Sequence, residues 1–97
     1  MAAKIATLHM HIHFPGSDSL KAKRRRLLPL MERLRREFNV SVAEVDLRDK
    51  WADALVCCVL VNTEIGQAQR SLQKVVDWLE KHWPDVDLIG EEIEVLP

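Results

Sequence analysis

The chain has 97 residues, 47% apolar and 30% charged, with a formal net charge of -1, which is the size and balance of one small domain whose layered core needs no staples. Its longest apolar run, 54–61, is far short of the ~20 residues that span a bilayer, so a helical membrane segment is excluded. The N-terminus alternates apolar and polar residues instead of following a charged stretch with an apolar one, so it lacks a secretory layout and a cytoplasmic location is expected.

Residues 3–14 alternate strictly. Ala6, Leu8, Met10, Ile12 and Phe14 share one face and Thr7, His9, His11 and His13 the other, the pattern of a strand with one face on a core. Pro15, Gly16, Ser17 and Asp18 break the pattern, and Ser19 can cap a helix by accepting from an amide of its first turn. From Leu20 onward, Leu27, Leu30, Met31, Leu34 and Phe38 gather on one side of a wheel with 3.6 residues per turn. Lys21, Arg25, Arg26, Arg33 and Arg36 spread over the other side, while Lys23 falls among the apolar positions. Pro29 lies deep in this helix without an amide to donate, so a kink or break is expected near Leu28. Asn39 is expected to end the helix in a left-handed cap.

A β-branched, alternating segment over 40–45 reads as a second strand, with Glu44 on the face of Val40 and Val42. A polar loop follows, then an interior strand over 54–61 that is apolar on both faces. It carries adjacent Cys57 and Cys58. Successive strand side chains point to opposite faces, so the two thiols are read as reduced and small, without the spacing of a metal or redox motif. Asn62 or Thr63 should cap a second helix, whose Ile65, Ala68, Leu72, Val75, Val76, Leu79 and Trp83 recur at helical spacing until Pro84. The last strand, 87–96, is interrupted by Gly90 and made acidic by Glu91, Glu92 and Glu94, as suits an edge.

The order βαββαβ predicts a single ferredoxin-like domain over 1–97, with a four-stranded antiparallel sheet backed by two helices. Its first and third strands are central, so the sheet's open side has an apolar middle beside the histidines, a face that a second copy or another partner should cover.

Three surfaces are candidates for function. Eight of the fourteen Lys and Arg residues lie between Ser19 and Asp46. Lys21, Arg24, Arg25, Arg33 and Arg36 could neutralise RNA phosphates in salt-dependent binding. The sheet offers no aromatic residues on its central strands for stacking bases, so an RNA reading rests on the helix and loops. His9, His11 and His13 form a row that is read as flanking a homodimer face. Neighbouring pairs could share a metal only with a further ligand such as Cys58, Asn62 or a group from a second chain, so no metal or other cofactor is assigned. Asp46, Asp49 and Asp53 around Trp51 lack the alternation and glycine of a calcium loop, and are expected to pair with Lys23, Arg48 or Lys50. Trp78 and the acidic last strand are taken as exposed surface on which a protein partner could dock. No nucleophile elbow, phosphate-cradling glycine loop or zinc protease helix occurs, so no catalytic residue is assigned.

Ser19-Leu20-Lys21-Ala22-Lys23-Arg24, followed by Phe38-Asn39-Val40-Ser41-Val42-Ala43-Glu44-Val45 and then Trp51, resembles the YlxP-like family of small bacterial proteins that carry a domain of unknown function. The resemblance spans essentially the whole chain. It implies a ferredoxin-like fold with no established activity, and a link to RNA or ribosomes through neighbouring genes for antitermination, translation initiation and ribosome maturation. Pro29 and the Ala52-Asp53 pair after Trp51 depart from the family pattern. The matching positions place the helix start beside the loop after the second strand, where Lys23 or Arg24 is expected to form a structural ion pair with Glu44 or Asp46.

Overall fold

The alternation of the first strand carries through into three dimensions: its even-numbered residues enter the core and its odd-numbered residues face away. The computed structural model describes residues 2–96, in the order β1 (Lys4–His13), α1 (Leu20–Glu37), β2 (Ser41–Asp46), β3 (Asp53–Asn62), α2 (Ile65–His82) and β4 (Asp87–Leu96). The strands form one antiparallel sheet ordered β2-β3-β1-β4, and both helices cover one of its faces, a ferredoxin-like βαββαβ sandwich. Ala6, Leu8, Met10, Ile12 and Phe14 are fully buried. Opposite them in register, Cys58, Val56 and Ala54 of β3 enter the same core.

Helix α1 starts where Ser19 accepts from the Ala22 amide at 3.0 Å, and it buries Leu27, Leu30, Met31 and Leu34. It runs unbroken through Pro29, contrary to the expected break near Leu28. Pro29 and Arg25 are both on the exposed side, so the Arg25 carbonyl that loses its amide partner has water available. On the opposite side, buried residues flank Pro29 in both directions, Leu27 before it and Leu30, Met31 and Leu34 after it. Asn39 does not form the expected left-handed cap. The helix closes at Phe38, which is extended and donates its amide to the Leu34 carbonyl at 3.1 Å, and the one non-glycine residue with positive φ among those described is Leu47.

Helix α2 buries Ala68, Leu72, Val75, Val76 and Leu79. Its N-cap position is Glu64, which makes no side-chain capping bond; Asn62 instead accepts from the Glu64 amide at 3.0 Å, shaping the turn before the helix. In β4 the register with β1 slips between His11 and Ile12, whose partners are Gly90 and Leu88, leaving Ile89 as the bulged residue beside the glycine. Among the described residues, no helix is long and apolar enough to cross a membrane.

Candidate nucleic-acid interface

Three pieces of chain meet at one end of the sheet: the turn after β1, the first turns of α1 and the β2–β3 loop. What joins them is Lys23. Its position on the wheel aims it inward, where it is completely buried, and its Nζ donates to Glu44 Oε2 (3.0 Å) and to the carbonyls of Leu47 (3.0 Å), Asp53 (3.0 Å) and Arg48 (3.4 Å). Glu44 is itself nearly buried, at 6% side-chain exposure. A buried ammonium survives in a fold only when paired and hydrogen-bonded, and this one is saturated with acceptors. Asp46 takes no part: its Oδ1 accepts from the Leu47 amide at 2.7 Å, in the turn where Leu47 adopts φ 60°. Arg24 pairs with neither carboxylate.

The basic residues of α1 divide by what holds them. Lys21, Arg24, Arg25 and Arg36 are exposed and have no hydrogen-bond or ion-pair partner among the described residues. Arg33 is engaged, donating to Glu37 at 3.2 Å with its guanidinium 5.5 Å from the centre of the Trp78 ring. Arg26 is also structural rather than free. It donates to the carbonyls of Pro15 (2.6 Å) and Asp85 (2.8 Å) and lies over the Phe14 ring at 5.4 Å, tying the β1–α1 turn to the turn before β4. Arg35 donates to the Val42 carbonyl at 2.8 Å, occupying one acceptor on the outer edge of β2. The wheel separates inward from outward positions, but it cannot show that an outward arginine reaches a carbonyl far along the chain.

On the open face, His9, His11 and His13 line β1 beside Leu55, Cys57, Val59 and Val61 of β3. Asp53 connects two of the histidines, since its Oδ1 accepts from His11 Nε2 at 2.9 Å and from His13 Nδ1 at 3.2 Å. The expected pairing of Asp53 with a basic side chain is therefore not what its carboxylate does; only its backbone carbonyl meets Lys23. Burial alone would raise the Asp53 carboxyl, but the two imidazole hydrogen bonds and their charge hold it below its ordinary value. Cys58, considered as a ligand for the histidine row, lies in the core on the opposite face, and Asn62 is in register with Lys4 at the other end of β1. Among the described residues, no group of three or more His, Cys, Asp or Glu side chains is placed to hold a metal ion. Burial pushes the Cys58 thiol up to about 12 and also raises that of half-buried Cys57.

The three tryptophans differ in use. Trp78 is half-buried rather than exposed: it meets Phe38 edge-on at 5.9 Å, stacks on His82 at 5.4 Å and tilts against Trp83 at 5.9 Å. Trp51 is 59% exposed in the β2–β3 loop. Its polar neighbours at strand spacing, Asp49 and Asp53, in a charged stretch are the sequence signal that it lies outside the core.

The similarities to known proteins concern the family and the fold. The chain is 29% identical over 71 residues to the "Uncharacterized protein YlxP" of Bacillus subtilis (strain 168), covering 73% of this chain and 76% of the relative. Its fold is similar to that of the "De novo designed protein Foldit4", with a TM-score of 0.55 at 11% identity over 99% of this chain and 98% of the designed one, a likeness of fold alone. Residues 5–93 match the family described as "Protein of unknown function (DUF503)", and the chain belongs to that family.

Proposed function

We propose that this protein is a non-catalytic binding module that contacts RNA, free or within a ribosomal particle, through the outward side of α1. The observation that carries the reading is the set of unpartnered cations on that helix. Lys21, Arg25 and Arg36 lie along one exposed stripe with Arg24 beside it; none forms an ion pair among the described residues, and the one acid on that stripe is Glu32, one turn before Arg36. Such a row of exposed cations gathers counterions, and contacts with phosphates release them, which favours binding to a polyanion. Arg33 contributes less than the other four because Glu37 and Trp78 already hold it. The test is sedimentation of the tagged protein from its own cell lysate through a sucrose gradient, at low and high salt, with and without ribonuclease. Co-migration with a ribosomal subunit that disappears at high salt supports the reading. Migration as a free protein in every lane removes stable ribosome binding.

A second reading, a homodimer through the open sheet face, is favoured by the apolar side chains left on the central strands. Ile5 is 43% and Val61 67% exposed there, next to Leu55, Cys57 and Val59. The histidine row of β1 and Glu92 and Glu94 of β4 lie on this same face. Two copies facing each other would bury these apolar side chains together. Sedimentation equilibrium should give a dimer that Val59→Glu dissociates; a monomer at all concentrations rejects this reading.

A further inference from the structure

The β2–β3 loop is held more firmly than its exposure suggests, and what it presents is an indole. Lys23 grips the Leu47, Arg48 and Asp53 carbonyls from beneath. From the side, Ser17 Oγ donates to the Trp51 carbonyl at 2.5 Å and the Phe14 amide to the Ala52 carbonyl at 2.7 Å. Within the loop, the Lys50 amide donates to the Leu47 carbonyl at 3.0 Å. The backbone on both sides of Trp51 is therefore anchored to β1, α1 and the β1–α1 turn, while its side chain is left in solvent without an aromatic or cationic partner among the described residues.

The charges around it are of both signs. Arg48 and Lys50 flank the tryptophan in the loop, both exposed and unpartnered among the described residues. A groove between α1 and β2, lined by Arg24 and Arg48 together with Glu44 and the apolar Leu27, Leu28 and Met31, lies beside the loop. The acids at this end are Asp18, Asp46 and Asp49, and Asp46 is already turned onto the Leu47 amide. The exposed cations of α1 thus reach, through Arg24 and Arg48, a solvent-facing aromatic ring on an anchored loop.

We propose that Trp51 is a stacking platform for an unpaired base of the RNA strand whose phosphates lie along α1. This inference rests on the α1 reading and adds to it the class of ligand: single-stranded RNA, bound without strong sequence preference. Every base has a π face, whereas duplex bases are already stacked and enclosed. A loop fixed before binding loses little entropy when the base arrives, which is the physical use of the Lys23 anchor.

The test is an anisotropy titration of a mixed-sequence single-stranded RNA of roughly 12 nucleotides, within the usual span of such sites, and of the corresponding duplex. The proteins are wild type, Trp51→Ala, Trp51→Phe and Arg25→Glu/Arg36→Glu, with indole fluorescence followed in parallel and folding checked by circular dichroism. Trp51→Ala should weaken single-strand binding by about 5- to 50-fold, leave duplex binding and the salt dependence unchanged, and abolish indole quenching. Trp51→Phe should recover most of the affinity. Arg25→Glu/Arg36→Glu should weaken both RNAs. Unchanged single-strand binding by Trp51→Ala, with loss in the charge-reversed protein, overturns the stacking role alone. Equal loss on single strand and duplex also overturns it, since the ring then reads no unpaired base. Failure of the wild type to bind either RNA overturns the α1 reading as well.

Discussion

Replacing Lys23 by Met tests the anchor that joins α1 to the β2–β3 loop. Met fills nearly the same space but removes the charge and all three protons, leaving Glu44 at 6% exposure without its 3.0 Å partner and the Leu47 and Asp53 carbonyls without theirs. Removing one member of a buried ion pair costs ~3–5 kcal/mol, because the remaining charge stays desolvated. A domain of this size has a total stability of only ~5–15 kcal/mol, so the substitution consumes much of it. At roughly 4–8 °C per kcal/mol, Tm should fall by about 12–40 °C. Replacing Glu44 as well, as Lys23→Met/Glu44→Leu, should recover part of the loss, because an apolar pair leaves no orphaned charge even though the loop carbonyls remain unpaired. Thermal melts of the two variants and wild type, followed by circular dichroism, decide the matter. A loss under ~1 kcal/mol for Lys23→Met, the level of a surface pair, would refute the claim that this lysine holds the loop.

Two further predictions concern stability. Pro29→Ala should stabilise the protein by about 1–3 kcal/mol, since the helix is continuous, the site is exposed and the Arg25 carbonyl regains an amide donor; chemical denaturation would show no gain if the helix were in fact adapted to the ring. Cys58 keeps its proton in the folded state up to about 12, against an ordinary value of 9.0, chiefly because burial disfavours the thiolate. The folded pKa is raised, so this stabilisation is complete below pH 9.0 and is lost as pH rises toward 12. Melting temperatures over that window should fall more steeply for wild type than for Cys58→Val.

The fold was readable because its signals are local. Strict alternation in β1, the helical recurrence of α2 and the turn residues at 15–18 each act over a few residues, and the βαββαβ order then leaves few ways to bury the apolar faces. The inward aim of Lys23 was visible for the same reason, since a charged residue at an apolar wheel position requires a buried partner. Other features depend on contacts between distant residues. Arg26 reaches Asp85 and Asp53 reaches His11 and His13, links that no periodicity records. At Pro29 and Asn39 local propensity is overridden, in one case by a helix that continues past the ring without a break and in the other by an extended closure at Phe38. Trp51 stood out as part of a family motif, but its role as the exposed ring of an anchored loop depends on Ser17 and Lys23, far away in sequence.

Whether the free cations of α1 bind RNA phosphates is read out by the salt dependence of affinity. Titration of single-stranded RNA over roughly 50–200 mM salt, with wild type and with Arg25→Gln/Arg36→Gln, gives two slopes of log affinity against log salt. If each arginine neutralises one phosphate, the variant's slope should be shallower by about 1.4, and reversal of both residues to Glu should abolish binding with the fold intact. Equal slopes for the two proteins, or undiminished binding by the charge-reversed variant, would contradict the claim.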